Sequence, residues 1–539
     1  MNSEILFSNQ FNKIEDTNLK IEVFVAGHVF INEKVKEKHE LAEYIFNIIK
    51  LDNNFIESFK KFDGHYAIVV NYNSKLTLFV DKIRSYPLFY AINDNQIFIS
   101  DKTSLFIHNI KTTIDDISYN ELMSTGYITG KRMLYEEIKQ VECGQYIEFF
   151  LDKEKPLIVN KKLHFQYRNE FPDKNKSKEA FLKDIDIAYK KSFKKLIDFA
   201  NGALIVVPLS GGIDSRHIVY MLHKYNYKNV LCFTYGKEKN KEAIVSKRIA
   251  ERCNYEWRFI PYSRAMWKDF IKSNELLDFQ DHSGNHNALS HFQDFFAVKK
   301  LKETIPNNAI FVPGHTGDLI AGDQIAQLDK AIKSTTKYSK DLLIDEIYKL
   351  HYLLRKNTTD VKNQLKEFIG SSIQPINNLQ QFSQEYDCWE YNERQAKYTV
   401  NSVRVYDYFG FRWTLPFFYN DILNFSLSVP IDIRYKRKLL LEYLNGEFLF
   451  ENILMEKTKS SFISRVLPIF IKRKLAYFKN TYKKSKKIIF DYYTHPMQWY
   501  GIFSNYFKYL IFSVKNYNKQ NMSLRFIIKL NQTIYGKNH

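Results

Sequence analysis

With 539 residues, 45% hydrophobic and 16% aromatic, and with only 18 Gly and 12 Pro, the chain is too apolar to be disordered and long enough for two or three globular domains. Its four cysteines, at 143, 232, 253 and 388, make no C-x-x-C pair, which speaks against a zinc knuckle or a disulfide framework and for a reducing compartment. The net charge of +19 is concentrated at one end, where residues 461–539 hold 15 Lys and Arg against one acid, Asp491.

In chain order, residues from about 20 to 165 read as strands joined by short turns, including Ile21 to Gly27, His65 to Tyr72 and Leu76 to Asp81. Leu88 to Ala91 and Ile97 to Ser100, either side of a polar turn at 93–95, form a predicted hairpin. The charged segment from Tyr167 to Lys178 reads as a linker, and a long helix over about 178–200 follows. From 203 the pattern alternates strand and helix: Leu204 to Leu209, a helix to about 224, Val230 to Tyr235, a helix over 240–253, then Trp257 to Ile260. Such alternation predicts a parallel sheet covered by helices, with ligands at the carboxyl ends of its strands. Ile310 to Pro313 returns as a strand and delivers Gly314-His315-Thr316-Gly317-Asp318 to that edge.

The most informative stretch is Leu204-Ile-Val-Val-Pro-Leu-Ser210-Gly211-Gly212-Ile213-Asp214-Ser215. A buried strand runs into Ser-Gly-Gly, where the backbone can approach a ligand, and then into a helix start whose free N–H groups suit an anion. Asp214 cannot take phosphate directly but can hold a metal ion that does. The other common phosphate loop is not matched, because Gly126-Tyr-Ile-Thr-Gly130-Lys131-Arg132 is one spacer short and lacks Ser or Thr after its lysine.

Ser-Gly-Gly-x-Asp-Ser resembles the pyrophosphatase loop of enzymes that split ATP between its α and β phosphates. Over roughly residues 20–450 the chain resembles the glutamine-dependent asparagine synthetases and their relatives. Gly314-His-Thr-Gly-Asp318-Leu-Ile-Ala-Gly322-Asp matches in part that family's second motif, Lys438-Leu-Leu-Leu-Glu-Tyr-Leu its helix opened by a lysine, and Leu415 to Pro430 the segment before it. Phe62 to Ala67, Asp81 to Tyr90, Ile99 to Lys102 and Gly126 to Gly130 are similar to its glutaminase domain, in the same order.

The resemblance implies a glutaminase-like αββα sandwich of the Ntn-hydrolase kind over 1–170, a parallel-sheet α/β ATP-pyrophosphatase domain over 171–460, and a basic, aromatic-rich helical region over 461–539. It implies ATP bound by Leu209, Ser210, Gly211, Gly212, Asp214, Ser215, Tyr235 and Gly314. It further implies Mg²⁺ on Asp214 and Asp318, and catalytic roles for Lys438, His315 and Asp318. A substrate carboxylate would attack the α phosphorus, and a nitrogen nucleophile, ammonia or an external amine, would then displace AMP.

Departures from the family matter as much. The glutaminase nucleophile is a cysteine at position 2, whereas this chain has Asn2, whose carboxamide is no nucleophile, so the amino-terminal domain is expected to be inactive and kept for packing or docking. The pocket's Asn-Gly pair appears as Ala26-Gly27, and the Gly of its Asp-Arg-x-Gly turn is Arg84. His315 replaces a glutamate of asparagine synthetases and Leu319 a second acid, which weakens an aspartate-specific reading. The acceptor is then a small-molecule or glycan carboxylate, such as a hexuronic acid in surface-polysaccharide or specialised-metabolite synthesis. Aspartate with ammonia, or a nucleotide-binding protein without turnover, are the alternatives.

His282, His286 and His291 have a spacing that metal ligands share, but polar packing or an acceptor pocket is the preferred reading. The carboxyl-terminal basic and aromatic residues, among them Lys472 to Lys474, Lys483 to Lys487, Tyr492, Trp499 and Phe507, suit peripheral association with an anionic membrane or an acidic glycan, or a solvated helical cap. No nucleic-acid-binding motif accompanies them. No run approaches eighteen apolar residues and no secretory signal opens the sequence, so a cytoplasmic protein is expected.

Overall fold

The computed structural model describes residues 3–52, 54–93, 95–151, 156–169, 172–445, 447, 489–515 and 524–536. Asn2 and the lysine clusters at 472–474 and 483–487 lie outside the described residues.

The first eleven strands are β1 (Ser3–Leu6), β2 (Asn12–Asp16), β3 (Ile21–Ile31), β4 (Lys34–Glu37), β5 (Asp63–Tyr72), β6 (Lys75–Val80), β7 (Phe89–Asn93), β8 (Gln96–Ser100), β9 (Ile138–Gln140), β10 (Gln145–Leu151) and β11 (Pro156–Leu163). They form a seven-stranded sheet, β11-β10-β6-β5-β3-β2 with β4 on β3, and a four-stranded sheet, β1-β8-β7-β9. The inner strands β3, β5 and β6 of the larger sheet are buried on both faces, and the period of two divides their side chains. Tyr66, Ile68 and Val70 of β5 pack with the helices Lys38–Leu51 and Phe55–Phe59, while Ala67 and Val69 pack with Tyr90, Ile97 and Ile99 of the smaller sheet. On the far side of that sheet, Phe89 and Phe98 pack with Phe106 and Ile110 beside the short 3-10 turns Thr103–Leu105 and Ile107–Asn109. The layers are those of the αββα sandwich, with one outer layer thin. β7 and β8 form the predicted hairpin, Phe89 opposite Ser100.

The remaining strands are β12 (Ile205–Pro208), β13 (Val230–Gly236), β14 (Glu256–Pro261), β15 (Ile310–Phe311) and β16 (Arg412–Trp413), all parallel in the order β14-β13-β12-β15-β16. Ile205, Val206 and Val207 have no exposed surface, as burial on both faces of a parallel sheet requires. The strand order reverses at β12, which places the crevice beyond the ends of β12 and β15 at the topological switch point. The helices Lys340–His351, Thr359–Ser371 and Leu379–Trp389 build a separate core around Leu343, Leu365, Phe382 and Tyr386.

The two halves share one core. Phe30, Ile83 and Cys143 pack into the same cluster as β12, β13 and the helix Lys178–Ala200. Lys195 of that helix pairs with Asp63 at 2.6 Å and also with Asp421, and Arg412 pairs with Glu37 at 2.9 Å. The segment expected to be a linker is anchored instead: Tyr167 is buried and stacks on Tyr391 with centroids 4.7 Å apart, and Asn169 donates to the Val429 carbonyl at 2.7 Å. Sequence polarity hid this, because one aromatic and one amide do the anchoring. The last helix, Leu524–Tyr535, reaches both halves, with Phe526 against Trp267 and Asn531 donating to the Leu122 carbonyl at 3.0 Å.

Candidate active site

The loop after β12 is held by its own serines. The Ser210 N–H donates to Ser215 Oγ at 3.1 Å, the two hydroxyls are 3.0 Å apart, and the Gly212 N–H donates to Ser210 Oγ at 3.2 Å. Arg216 closes the underside by donating to the Gly211 carbonyl at 2.9 Å. Gly212 is the N-cap of the helix Ile213–Lys224 and no side chain caps that end, so its first N–H groups face the cleft.

Gly314 delivers the opposite wall. A Cβ at Gly314 would stand 2.6 Å from the Ser215 nitrogen, and one at Gly317 would stand 2.6 Å from Asp214 Oδ1, so both glycines exist for close approach. Ser210, Gly212, Asp214, Ser215, Tyr235, Gly314 and His315 line one cleft of about 360 Å³. Leu209 is buried beneath the loop and offers the cleft no side chain, while its carbonyl accepts the Thr234 hydroxyl at 2.7 Å.

Asp214 lines the cleft and Asp318 does not, but the two are near enough for one charge to act on the other. Burial raises the Asp214 carboxyl to about 7, Arg437 opposes the rise, and the charge of Asp318 adds to it. Burial likewise raises Asp318, which accepts from the Leu319 N–H at 2.9 Å and from the Gln324 amide. Asp318 thus raises Asp214, while Arg437 opposes the rise at both carboxyls, a pairing that a divalent cation would reinforce. Among the described residues no group of three or more metal-ligating side chains gathers anywhere, so a metal here would take its remaining ligands from phosphate and water.

Arg437, next to the expected Lys438, is the cation that meets Asp214. Its Nη1 lies 2.8 Å from Asp214 Oδ1 and its Nε 3.0 Å from Asp323 Oδ2. Lys438 is exposed, with Nζ 3.5 Å from the Asp432 carbonyl, outside the cleft. The reason is local: Lys436 and Arg437 both adopt left-handed backbone, φ 58° and 59°, which turns the arginine inward and the lysine outward.

The third wall was not foreseen. Glu390–Thr399 is a ten-residue π-helix that brings Arg394, Tyr398 and Thr399 to the cleft, with Ser402 one turn on. Arg394 is the one Lys or Arg among the residues lining that cleft, and its Nη1 is 2.6 Å from the buried Glu390 carboxylate. This helix is braced by the amino-terminal half: the Gly130 N–H donates to Glu393 Oε2 at 3.0 Å, and Lys397 donates to the Gly130 carbonyl at 2.8 Å. The same segment pairs with the strand-like stretch leading to His291, the Ile128 N–H on the Asn287 carbonyl at 3.0 Å and the Leu289 N–H on the Gly126 carbonyl at 2.7 Å.

The three spaced histidines separate. His282 meets Asp407 at 2.9 Å, His286 meets Thr103 at 2.9 Å, and only His291 lines the cleft, its ring against Tyr398. Burial lowers His315 to about 4, so it is unprotonated at neutral pH, and Ser402 Oγ is 3.2 Å from its Nε2. Tyr235 donates to Asp294, which also accepts from Tyr406 at 3.0 Å. Where the family's Asp-Arg-x-Gly turn has glycine, Arg84 takes φ 56° and its guanidinium donates to the Val141 carbonyl at 3.0 Å. Gly27 keeps φ 85°, since a Cβ there would meet the His65 carbonyl oxygen at 1.9 Å.

Residues 204–478 match the family model described as asparagine synthase, and residues 50–158 match that of a glutamine amidotransferase domain. No curated protein matches. Among solved structures, glutamine phosphoribosylpyrophosphate amidotransferase from B. subtilis, complexed with ADP and GMP, is similar at 12% identity over 46% of this chain and 72% of that one, with a TM-score of 0.20. An allosteric regulatory enzyme of purine biosynthesis is similar at 10% identity over 47% of this chain and 62% of that one, also at 0.20, so this chain spans less than two thirds of it.

Proposed function

Because this chain belongs to the asparagine synthase family and carries a domain of the glutamine amidotransferase kind before it, we propose that it is an ATP-dependent ligase that makes an amide by adenylating a substrate carboxylate. The observation that carries the proposal is the Ser210–Ser215 loop, with an uncapped helix start behind it, at the switch point of a parallel sheet. A carboxylate oxygen of the acceptor attacks the α phosphorus of ATP, and the bond to the departing pyrophosphate breaks. A nitrogen nucleophile then attacks the acyl carbon, the bond to AMP breaks, and the amide remains.

The Ser210 and Ser215 hydroxyls and the N–H groups opening the helix Ile213–Lys224 hold and orient the pyrophosphate. Asp214 and Asp318 suit Mg²⁺, which would offset charge on that pyrophosphate. We assign the cationic role beside Asp214 to Arg437, with Lys438 one residue beyond it in the same turn. His315 was expected to take a proton from the incoming amine, but burial holds it at about 4 and so makes it a weak base, which suits it to accept a hydrogen bond from the amine instead. Arg394 gives the acceptor's wall a positive edge, which suits a small-molecule or glycan carboxylate, and ammonia or an external amine supplies the nitrogen.

The test is incubation with ATP, ammonium and a panel of carboxylates that includes aspartate and hexuronic acids, scoring AMP and pyrophosphate. AMP with pyrophosphate, abolished by Asp214→Ala, is the expected result. ADP in their place overturns adenylation, and an active Asp214→Ala enzyme overturns the assignment of the site.

A further inference from the structure

The helix Tyr506–Lys515 is apolar on two sides, where an ordinary surface helix is apolar on one: Tyr509, Leu510 and Phe512 pack on the main core, and a second apolar stripe faces out. Its buried positions are Tyr509 and Ser513, while Phe507, Ile511 and Val514, spaced four and three apart on one stripe, are 69%, 43% and 66% exposed. Lys508 and Lys515 are exposed along one flank of that stripe. The helical segment 489–494 lies beside it, tied by the Tyr506 hydroxyl donating to the Ile489 carbonyl at 2.9 Å and by the Tyr493 and Tyr506 rings at 5.3 Å, and it too exposes Ile489, Phe490 and Tyr493. Asp491 is the single acid on these two helices, and it is buried with Arg525 at 3.5 Å. The outward face therefore joins a broad apolar stripe to positive charge with no exposed carboxylate, within a sequence region of 15 basic residues and one acid.

We propose that this face docks the protein on an anionic lipid surface, the helix Tyr506–Lys515 lying in the plane of the interface. The charge selects anionic headgroups, and the apolar stripe has no counterpart in a nucleic acid or an acidic glycan, which would pair with lysines alone. Lysines flanking such a stripe extend toward phosphates while their stems lie along apolar surface. Among the described residues no helix is long and apolar enough to cross a membrane, so the stripe is read as lying on the bilayer. The proposal stands apart from the ligase reading, because it uses no residue of the cleft.

The experiment is cosedimentation of the full chain with vesicles of equal parts phosphatidylglycerol and phosphatidylcholine, against vesicles of phosphatidylcholine alone. Binding to the anionic vesicles only, weakened by salt, is expected. Ile511→Asp weakens it about tenfold or more, as does Lys508→Glu combined with Lys515→Glu. Phe507→Trp shifts its emission to the blue on binding. Melting temperature and pyrophosphate release in solution stay unchanged in all these variants, which separates lost docking from lost folding or a failed ligase assignment. Absence of binding, or binding that Ile511→Asp leaves intact, overturns the proposal. So does a dimer in vesicle-free solution that Ile511→Asp dissolves, since the face would then belong to a second copy.

Discussion

Arg437 holds a backbone conformation that costs an arginine about 1 kcal/mol, and its guanidinium spans Asp214 and Asp323 in return. Arg437→Ala leaves the half-buried Asp214 without its cation, so it lowers stability by about 1–2 kcal/mol in denaturant titration, and added Mg²⁺ recovers more of that loss than it adds to the unsubstituted protein. Lys438→Ala, at an exposed site, changes stability by less than about 0.5 kcal/mol. Gly314→Ala drives a methyl into the Ser215 backbone and weakens nucleotide binding at least about tenfold by calorimetry, with a small shift in melting temperature. His65 sits between the halves, its Nε2 accepting the Leu415 N–H at 3.1 Å, and burial lowers it from 6.5 to about 3. Below pH 6.5 the unfolded chain takes a proton there that the folded chain refuses, so stability falls on acidification by about 1.4 kcal/mol per pH unit. His65→Gln, less stable than the parent at pH 8, closes that gap by about 2 kcal/mol by pH 5. The serine loop was legible because strand, glycines and helix start are contiguous. Arg437 was not, because its role depends on a left-handed turn that no arginine advertises.

The π-helix Glu390–Thr399 carries the cleft's cation on a wider helical repeat than the usual 3.6 residues, and such segments recur at functional sites. Glu390 is fully buried and held below the ordinary carboxylate range, foremost by the Arg394 charge opposing its burial. Arg394→Met therefore strands a buried carboxylate and costs about 3 kcal/mol or more in urea unfolding, beyond any effect on turnover. Nothing in the local sequence marks this element, since a register one residue wider than an α-helix is imposed by what packs around it. The parallel sheet was legible to within a residue or two, with Ile205–Pro208 and Val230–Gly236 lying where apolar runs end in Ser-Gly-Gly and Tyr-Gly. β16, two residues long, carries no strand signal of its own and forms only because Arg412 and Trp413 lie beside β15.

At the scale of the molecule, the shared core joins halves that the sequence divided at a polar stretch. One heat-capacity peak is expected in scanning calorimetry, and a chain starting after residue 170, which would expose Tyr419 and Trp413, is expected not to fold alone. Two separate peaks would refute that. The order of motifs was readable from one end to the other, but contacts between distant segments were not, because each is made by one or two side chains. The Gly126–Gly130 segment gives this union a mechanical meaning. It works as a keystone: remove it and the wall bearing Arg394 and the approach to His291 lose their abutment. The amino-terminal half is thus a buttress of the neighbouring pocket, and changes in the first 150 residues that loosen this segment would register as altered kinetics in the second half.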